Sequence, residues 1–383
     1  MPISRPPLTI GIEEEYLLVD LHTRDLAVDP PPELLARCEA RLASQVAPEL
    51  LKSQIEIGTR VCRNIAEARE DLGRLRSTII EVARGFGLAP IAASTHPFAR
   101  WQTQRHTEKE RYEVLTRDMQ AAARRLLICG MHVHVGIDDD DQRIDIINQM
   151  TYFLPFLLAL SSSSPFWLGE DTGLKSYRLT VFDSLPRTRL PERFASYSDY
   201  QQHVDVLTKG GLMEDATKIW WDMRPSARYP TVEMRITDVC TRMDDAVSLA
   251  ALTVSLIAML SRVRSKSMRW RIFAHMLVYE NRWRAMRYGY DNGMLDFVRC
   301  ETIPFAQLLD ELIDLVREDA GELGCLAEVE AARDILNRGT SAHRQLEIFN
   351  AALDSGATTE TALKSVVDFL VSETAIGLPA GDR

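Results

Sequence analysis

In the stretch TIGIEEEYLLVD, residues 9–20, three glutamates stand in a row between two apolar runs. The flanking Ile10, Ile12, Tyr16, Leu17, Leu18 and Val19 read as a β-strand, whose alternate side chains point to opposite faces. Glu13 and Glu15 then share one face, and Glu14 lies on the other. Two carboxylates side by side repel, and burying them unpaired is costly or forces a proton onto one of them. A fold that keeps this strand has to supply something that neutralises the pair.

Five further stretches carry polar groups on strand-like segments. In LKSQIEIGT, Lys52, Gln54 and Glu56 alternate with Ile55 and Ile57. In PIAASTHPF, His96 sits where a strand runs into Pro97. In LICGMHVHVGI, His132 and His134 share one face against Met131, Val133 and Val135. In IWWDMRPSA, Asp222 and Arg224 share a face, and in TVEMRITD so do Glu233, Arg235 and Thr237. Any one of these is ordinarily just the wet face of a half-solvated strand. Together they say more. If the strands pair into one sheet, consistent parity lines one surface with carboxylates, imidazoles and guanidinium groups. Carboxylates with an occasional histidine suit Mg²⁺ or Mn²⁺, and arginines beside them grip phosphate or carboxylate in two-pronged fashion. Metal and arginine on one face are what phosphoryl transfer from ATP requires.

The rest of the chain narrows the class. Its 383 residues are 46% hydrophobic and 26% charged, enough to fill a substantial core. A net charge of −10 argues against nucleic acid or an anionic membrane as partner. The six cysteines (Cys38, Cys62, Cys129, Cys240, Cys300 and Cys325) are scattered without a C-x-x-C pair, as reduced cytosolic thiols are. The N-terminal MPISRPPLT has no signal-like apolar run. The apolar helix expected over 246–260 is interrupted by Ser248, Thr253 and Ser255 and is short for a membrane span. A soluble, cytoplasmic protein is expected. Asn64 followed by Glu67 predicts a helix start close to a capping box, with Leu72, Leu75, Ile79, Val82 and Phe86 at helical spacing. Helices are also predicted over 31–45, 107–125, 142–161, 198–207, 244–263 and 271–288, and in a tail over 305–317, 326–338, 342–353 and 358–371. The polar segment 165–197 is a candidate active-site loop. The fold class expected is α+β, an antiparallel-rich sheet flanked by helices with a mostly helical C-terminal part.

The familiar nucleotide motifs are absent: GEDTGLKS has the wrong spacing for a P-loop, and GFGLAP lacks the third glycine of G-x-G-x-x-G. H-E-x-x-H and G-x-S-x-G are absent as well. Any ATP must be held by the sheet and its metals. The stretches GIEEEY, IEIGTRVCRN, THPF, GMHVHVGI, WWDMRPSARYPTVEMRITD and ENRWRAMRYG, taken together, resemble the carboxylate–amine ligases of the glutamate–cysteine ligase type 2 family. The resemblance runs from about residue 10 to 290 and fades over the helical tail. It implies a curved sheet of the glutamine synthetase and guanido kinase kind, with a catalytic domain at 1–290 and a helical extension, 291–383, packed on it. It implies that Glu13, Glu15, Glu56, His132 and Glu233 ligate Mg²⁺ (or Mn²⁺), and that His134 contacts the nucleotide. Arg224 would hold the γ-phosphate or acyl phosphate, and Arg235 the substrate carboxylate. Asn281 and Arg282 match a family motif and are expected near the cofactor, and His96 near the substrate. The expected partners are a small carboxylate and an amine, with ATP as co-substrate and a homodimer as the assembly; neither nucleic acid nor membrane is expected. The reaction expected is amide formation through an acyl phosphate, releasing ADP and phosphate. The residues 177–194, rich in arginine, could cover the intermediate from water.

Two other readings stay open. A metal-dependent amidohydrolase also uses an H-x-H strand, though it needs further histidines on later strands, after an H-x-H near the start of the chain. A catalytically silent relative would bind a nucleotide or amino acid as a regulator.

Overall fold

The structure is a computed structural model in which residues 8–378 are described. The start of the N-terminal stretch just mentioned and the outer bounds 1 and 383 of the two expected segments lie outside the described residues.

Seven strands build the central sheet: β1 (Ile10–Asp20), β2 (Val46–Pro48), β3 (Gln54–Gly58), β4 (Leu88–Ile91), β5 (Met131–Gly136), β6 (Met223–Pro225) and β7 (Thr231–Met234). Their order is β6-β7-β5-β1-β3-β2, and β4 pairs with the second half of β1. Every pairing is antiparallel. β1 runs through the middle, and its register decides what stands beside what. Glu13 lies opposite His132 on one side and Gly58 on the other, while Glu15 lies opposite Glu56. On the next strands out, Glu233 lies opposite both His134 and Arg224. The alternation read from five of the six stretches thus collects on one face, and the His96 stretch does not contribute to it.

Apart from Glu14, which is buried on it, the other face is apolar. Ile10, Ile12, Tyr16, Ile55, Ile57, Val133, Val135, Val232 and Met234 are all buried. They pack against the helices Ile65–Arg84 and Met243–Ser265. Sheet against helices is the two-layer α+β arrangement that the alternating pattern implied. Asn64 caps the first of these helices by accepting the N–H of Glu67 at 2.9 Å, and the Glu67 carboxylate accepts the N–H of Arg63. The helix Met243–Ser265 is long and apolar enough to cross a membrane, yet its stretch from Ala246 to Leu260 is buried within the core. Three tail helices complete the layer: Phe305–Glu322 and Leu326–Glu330 lie on this core helix, and Thr359–Thr374 lies on β4.

Four helix predictions need correction. The run 326–338 is two helices, Leu326–Glu330 and Ala332–Arg338. The run 142–161 is two helices, Asp140–Met150 and Leu154–Ser161, bent by 66°. Pro155 lacks the N–H that a continuous helix would need and crowds the preceding turn. The run 107–125 splits at Gln120, whose φ of 47° lies in the left-handed region. The run 271–288 starts only at His275. The segment 165–197 has short ordered pieces, among them the strand pair Phe166–Trp167 and Glu170–Asp171 and the helix Arg178–Phe182.

Candidate active site

The polar face of the sheet forms one wall of a cavity of about 530 Å³. Glu13, Glu15, Glu56, His132, His134, Arg224, Glu233 and Arg235 all line it. These are eight of the eleven residues expected there from the sequence. Strand pairing is enough to bring them together, because adjacent strands lie within side-chain reach of each other.

The geometry around Glu13 is tight. His132 Nδ1 lies 3.2 Å from Glu13 Oε2, and His134 Nε2 lies 3.3 Å from Glu13 Oε1. His134 Nδ1 is held by the Thr231 hydroxyl at 3.0 Å, which fixes the ring. Glu233 is gripped from two sides. Arg224 donates to both of its oxygens at 2.9 and 3.1 Å, and Arg235 donates to Oε1. Arg224 is itself braced by the carbonyls of Thr217 and Ile219.

These contacts split the carboxylates into two kinds. Burial alone would raise Glu13, but its hydrogen bonds to the two histidines hold it well below the usual carboxylate range. Glu233 is likewise raised by burial and more than recovered by Arg235 and Arg224. Glu15 goes the other way: burial, then repulsion from Glu49, lifts it to about 7. Glu56 is pushed well up by burial and by its hydrogen-bonded neighbour Glu49. Burial and Arg235 push His132 down to about 4, whereas in His134 the pull of Glu13 and Glu233 outweighs burial and raises it.

Glu13, His134 and Glu233 each offer a ligand atom, all within 4.8 Å of one another. His134 Nε2 is buried and faces the Glu13 carboxylate at 3.3 Å. A buried ring nitrogen facing two carboxylates fits a divalent cation, and a set of mostly oxygen donors fits Mg²⁺ or Mn²⁺. The cluster contains the second histidine of the H-x-H strand, whereas the resemblance gave the first one to metal and the second to nucleotide.

Three expected residues stand elsewhere. His96 is buried in a turn beyond β4, with Nε2 at 2.9 Å from the Arg24 carbonyl and Nδ1 accepting the N–H groups of Phe98 and Ala99. Both ring nitrogens are used by backbone, and burial pushes its pKa down to about 4. Asn281 holds both the N–H and the carbonyl of Leu295. Arg282 is clasped between Asp222, at 2.7 and 3.1 Å, and Asp183, at 2.7 and 2.9 Å. None of the three lines the cavity. Asp222 shares parity with Arg224 in the sequence, but its carboxylate is spent on Arg282.

Glu49 and Arg178 are among the residues of the cavity wall that were not anticipated. Glu49 follows β2 directly, and only the pairing of β2 with β3 sets it beside Glu56. Arg178 begins a short helix in the 165–197 segment and reaches the wall next to Glu15 and Arg235. No alternation marks either of them.

A second cavity of about 790 Å³ adjoins the first at Glu13, Glu56 and His134. It lies toward the start of β1, beneath Gly11, Gly136 and Thr231, and Leu42, Val46, Val61 and Pro230 make much of its wall apolar. A polar, charge-lined chamber thus opens through the carboxylate–histidine cluster into a roomier, more apolar one.

The chain matches Glutamate-cysteine ligase family 2 over residues 9–367. A protein of Rhodospirillum rubrum named "Putative glutamate–cysteine ligase 2" is 58% identical over 382 residues, 99% of this chain and 98% of that one. One of the same name from Jannaschia sp. is 53% identical over 95% of this chain and 96% of its own length. Among solved structures, the glutamate–cysteine ligase of Francisella tularensis in complex with AMP aligns with a TM-score of 0.68 at 13% identity, over 99% of this chain and 91% of that one. The bifunctional glutathione synthetase of Pasteurella multocida also aligns with a TM-score of 0.68 at 13% identity, over 96% of this chain and 52% of that one. At such identities the likeness to the two structures is one of fold.

Proposed function

The chain belongs to Glutamate-cysteine ligase family 2, a carboxylate–amine ligase in class, and we propose that it joins its substrates by phosphorylating the carboxylate with ATP. The observation that carries this reading is the convergence of Glu13, His134 and Glu233 within 4.8 Å beside Arg224 and Arg235. The AMP held by the Francisella neighbour supports use of a nucleotide.

The larger, more apolar cavity suits the nucleoside, which sets the phosphates at the wall the two cavities share. Glu13, His134 and Glu233 would hold a divalent cation there, with Glu15 and Glu56 available for a second. Such a cation would neutralise phosphate charge and align the γ-phosphorus for in-line attack. A substrate carboxylate oxygen attacks that phosphorus and ADP leaves. Arg224 and Arg235 already share Glu233, so the γ-phosphoryl group offers them a second anion of matching geometry as charge spreads over it. The acyl phosphate is then attacked by an unprotonated amine nitrogen, phosphate leaves, and the amide remains. Water has to be kept out between the two steps. The 177–194 segment, which supplies Arg178, Phe182 and Leu185 to the cavity wall, is the proposed cover. Residues up to about 290 carry every group named here, and the helices beyond them act as a scaffold.

The test is the fate of oxygen. With the substrate carboxylate labelled with ¹⁸O, turnover in unlabelled water puts one labelled oxygen into the released phosphate. Phosphate without label would sink the acyl phosphate.

A further inference from the structure

A cavity of about 340 Å³ lies beside β6, the edge strand of the sheet, lined by Pro225 of that strand and by the helix Tyr197–Lys209. Thr217, Ser226, Ala227 and Arg228 line both this cavity and the polar chamber, so the two share that wall. No step of the proposed reaction uses it.

The cavity holds a buried polar group without a partner. Tyr200 is 3% exposed, and its ring is wedged among Phe194, Tyr197 and Trp221 at centroid distances of 5.5, 5.7 and 6.2 Å. Its hydroxyl has no hydrogen-bond partner among the described residues. A buried hydroxyl left unpaired is costly, and a ligand that fills the cavity can satisfy it. The lining charges say which ligand. Asp205, Glu214 and Asp215 face the cavity against one basic lining residue, Arg228. Lys209 pairs with Asp205 and Lys218 with Glu214, each at 3.1 Å. Asp215 has no such ion pair among the described residues, and its Oδ1 accepts the Thr217 N–H at 2.7 Å. A carboxylate without a counter-charge beside two tyrosine rings suits an ammonium group, which donates to carboxylate and hydroxyl alike and is drawn to ring faces. Val204, Ala216 and Pro225 offer apolar contact to a short carbon chain.

One turn of chain joins this cavity to Arg224. Asp215 caps the short 3₁₀ turn Ala216–Lys218, and the Thr217 carbonyl within it accepts from Arg224 at 3.0 Å. Burial raises the pKa of the Tyr200 hydroxyl, Tyr197 adds to the rise, and Arg224 offsets part of it, so Tyr200 also stands within range of that guanidinium. A cation seated on Asp215 therefore steadies the turn that braces Arg224.

We propose that this cavity is a regulatory site for a small primary amine, whose ammonium group sits between Asp215 and the Tyr200 hydroxyl and whose occupancy tightens nucleotide binding in the neighbouring chamber. Binding of the amine is independent of the ligase reading, and its effect on the nucleotide rests on that reading.

The test is calorimetry on the whole protein with isoamylamine and 2-phenylethylamine against isoamyl alcohol and 2-phenylethanol, their uncharged counterparts. The wild type should bind at least one amine about tenfold or more tightly than its alcohol. Asp215→Asn should erase that preference. Gln201→Trp, at an exposed position of the lining, narrows the cavity without touching the core, so it should weaken the amine by about tenfold or more and covers the case in which the first variant fails to fold. With the amine saturating, Mg²⁺ and a non-hydrolysable ATP analogue should bind about fivefold or more tightly to the wild type and unchanged to the variants. No preference in the wild type, or one that survives in both variants, overturns the site, since the amine would then bind elsewhere. Amine binding that the variants abolish, with nucleotide affinity unmoved, overturns the regulatory role while the ligase reading stands. A wild type that binds the amine but no nucleotide overturns the regulatory role and the ligase reading together.

Discussion

Glu14 and Arg76 form a two-pronged ion pair, 2.6 and 2.7 Å long, sealed from solvent on the face of the sheet opposite Glu13 and Glu15. Arg76 also donates to the carbonyls of Cys240 and Thr241 at 2.8 and 2.9 Å, and the Tyr16 hydroxyl donates to Glu14. The middle glutamate of the run thus ties β1 to the helix behind it and to the lead-in of the core helix, while its two neighbours face the cavity. Breaking such a pair leaves one charge buried alone.

Arg76→Met should therefore destabilise the protein by about 3–5 kcal/mol in urea unfolding, and the pair of changes Glu14→Leu with Arg76→Met should recover most of that loss. A single variant as stable as the wild type would show that the pair is not what holds β1 in place.

Much of the site was legible because period-two alternation is local. Parity alone put Glu13, Glu15, Glu56, His132, His134, Arg224, Glu233 and Arg235 on one face and turned Glu14 away. What parity cannot see is contact between segments far apart in the chain. Arg282 and Asn281 lie on a helix whose partners, Asp183, Asp222 and Leu295, no local pattern pairs with them. Glu49 enters the wall from a loop and Arg178 from the first residue of a five-residue helix, both too short of periodic sequence for spacing to carry facing information. Which of the two histidines joins Glu13 and Glu233 is likewise a matter of rotamers, set by the Thr231 hydroxyl on His134.

The two kinds of carboxylate predict a pH dependence. Glu15 is held up at about 7 by burial and by Glu49, so the folded state keeps its proton where the unfolded state, near 4.5, has released it. Below 4.5 both states are protonated, and above 7 both are ionised and the fold carries the cost. Stability of the metal-free protein should fall by about 1–3 kcal/mol as pH rises from 4.5 through 7. Glu15→Gln should flatten that fall in pH-dependent urea titrations. A fall of the same size in the variant would place its source elsewhere.

Arg282 separates a clasp from a cofactor contact. With Asp183 and Asp222 both depending on it, Arg282→Met should cost about 3–5 kcal/mol of stability. In the fraction that folds, it should lower kcat more than it raises KM for ATP. Intact stability with a raised KM for ATP would instead restore the nucleotide contact that the sequence motif implied.

Arg224→Ala should reduce kcat by about a hundredfold or more, because its neutralising role grows as charge spreads over the transferred phosphoryl group. KM for the amine should change little. A variant with near-normal kcat and a raised KM for a substrate would make Arg224 a binding residue only.

On the proposed mechanism, the carboxylate–histidine face transfers phosphoryl from ATP to a carboxylate that an amine then captures. The most direct measurement is ADP release by the purified protein with Mg²⁺–ATP and L-glutamate, with and without L-cysteine and a panel of other amines, and with the products weighed by mass spectrometry. ADP release should depend on the amine and on Mg²⁺ and yield an amide, and both should fall by about a hundredfold in Glu13→Gln. Glu13→Gln turning over as fast as the wild type, with the same amide formed, would contradict it.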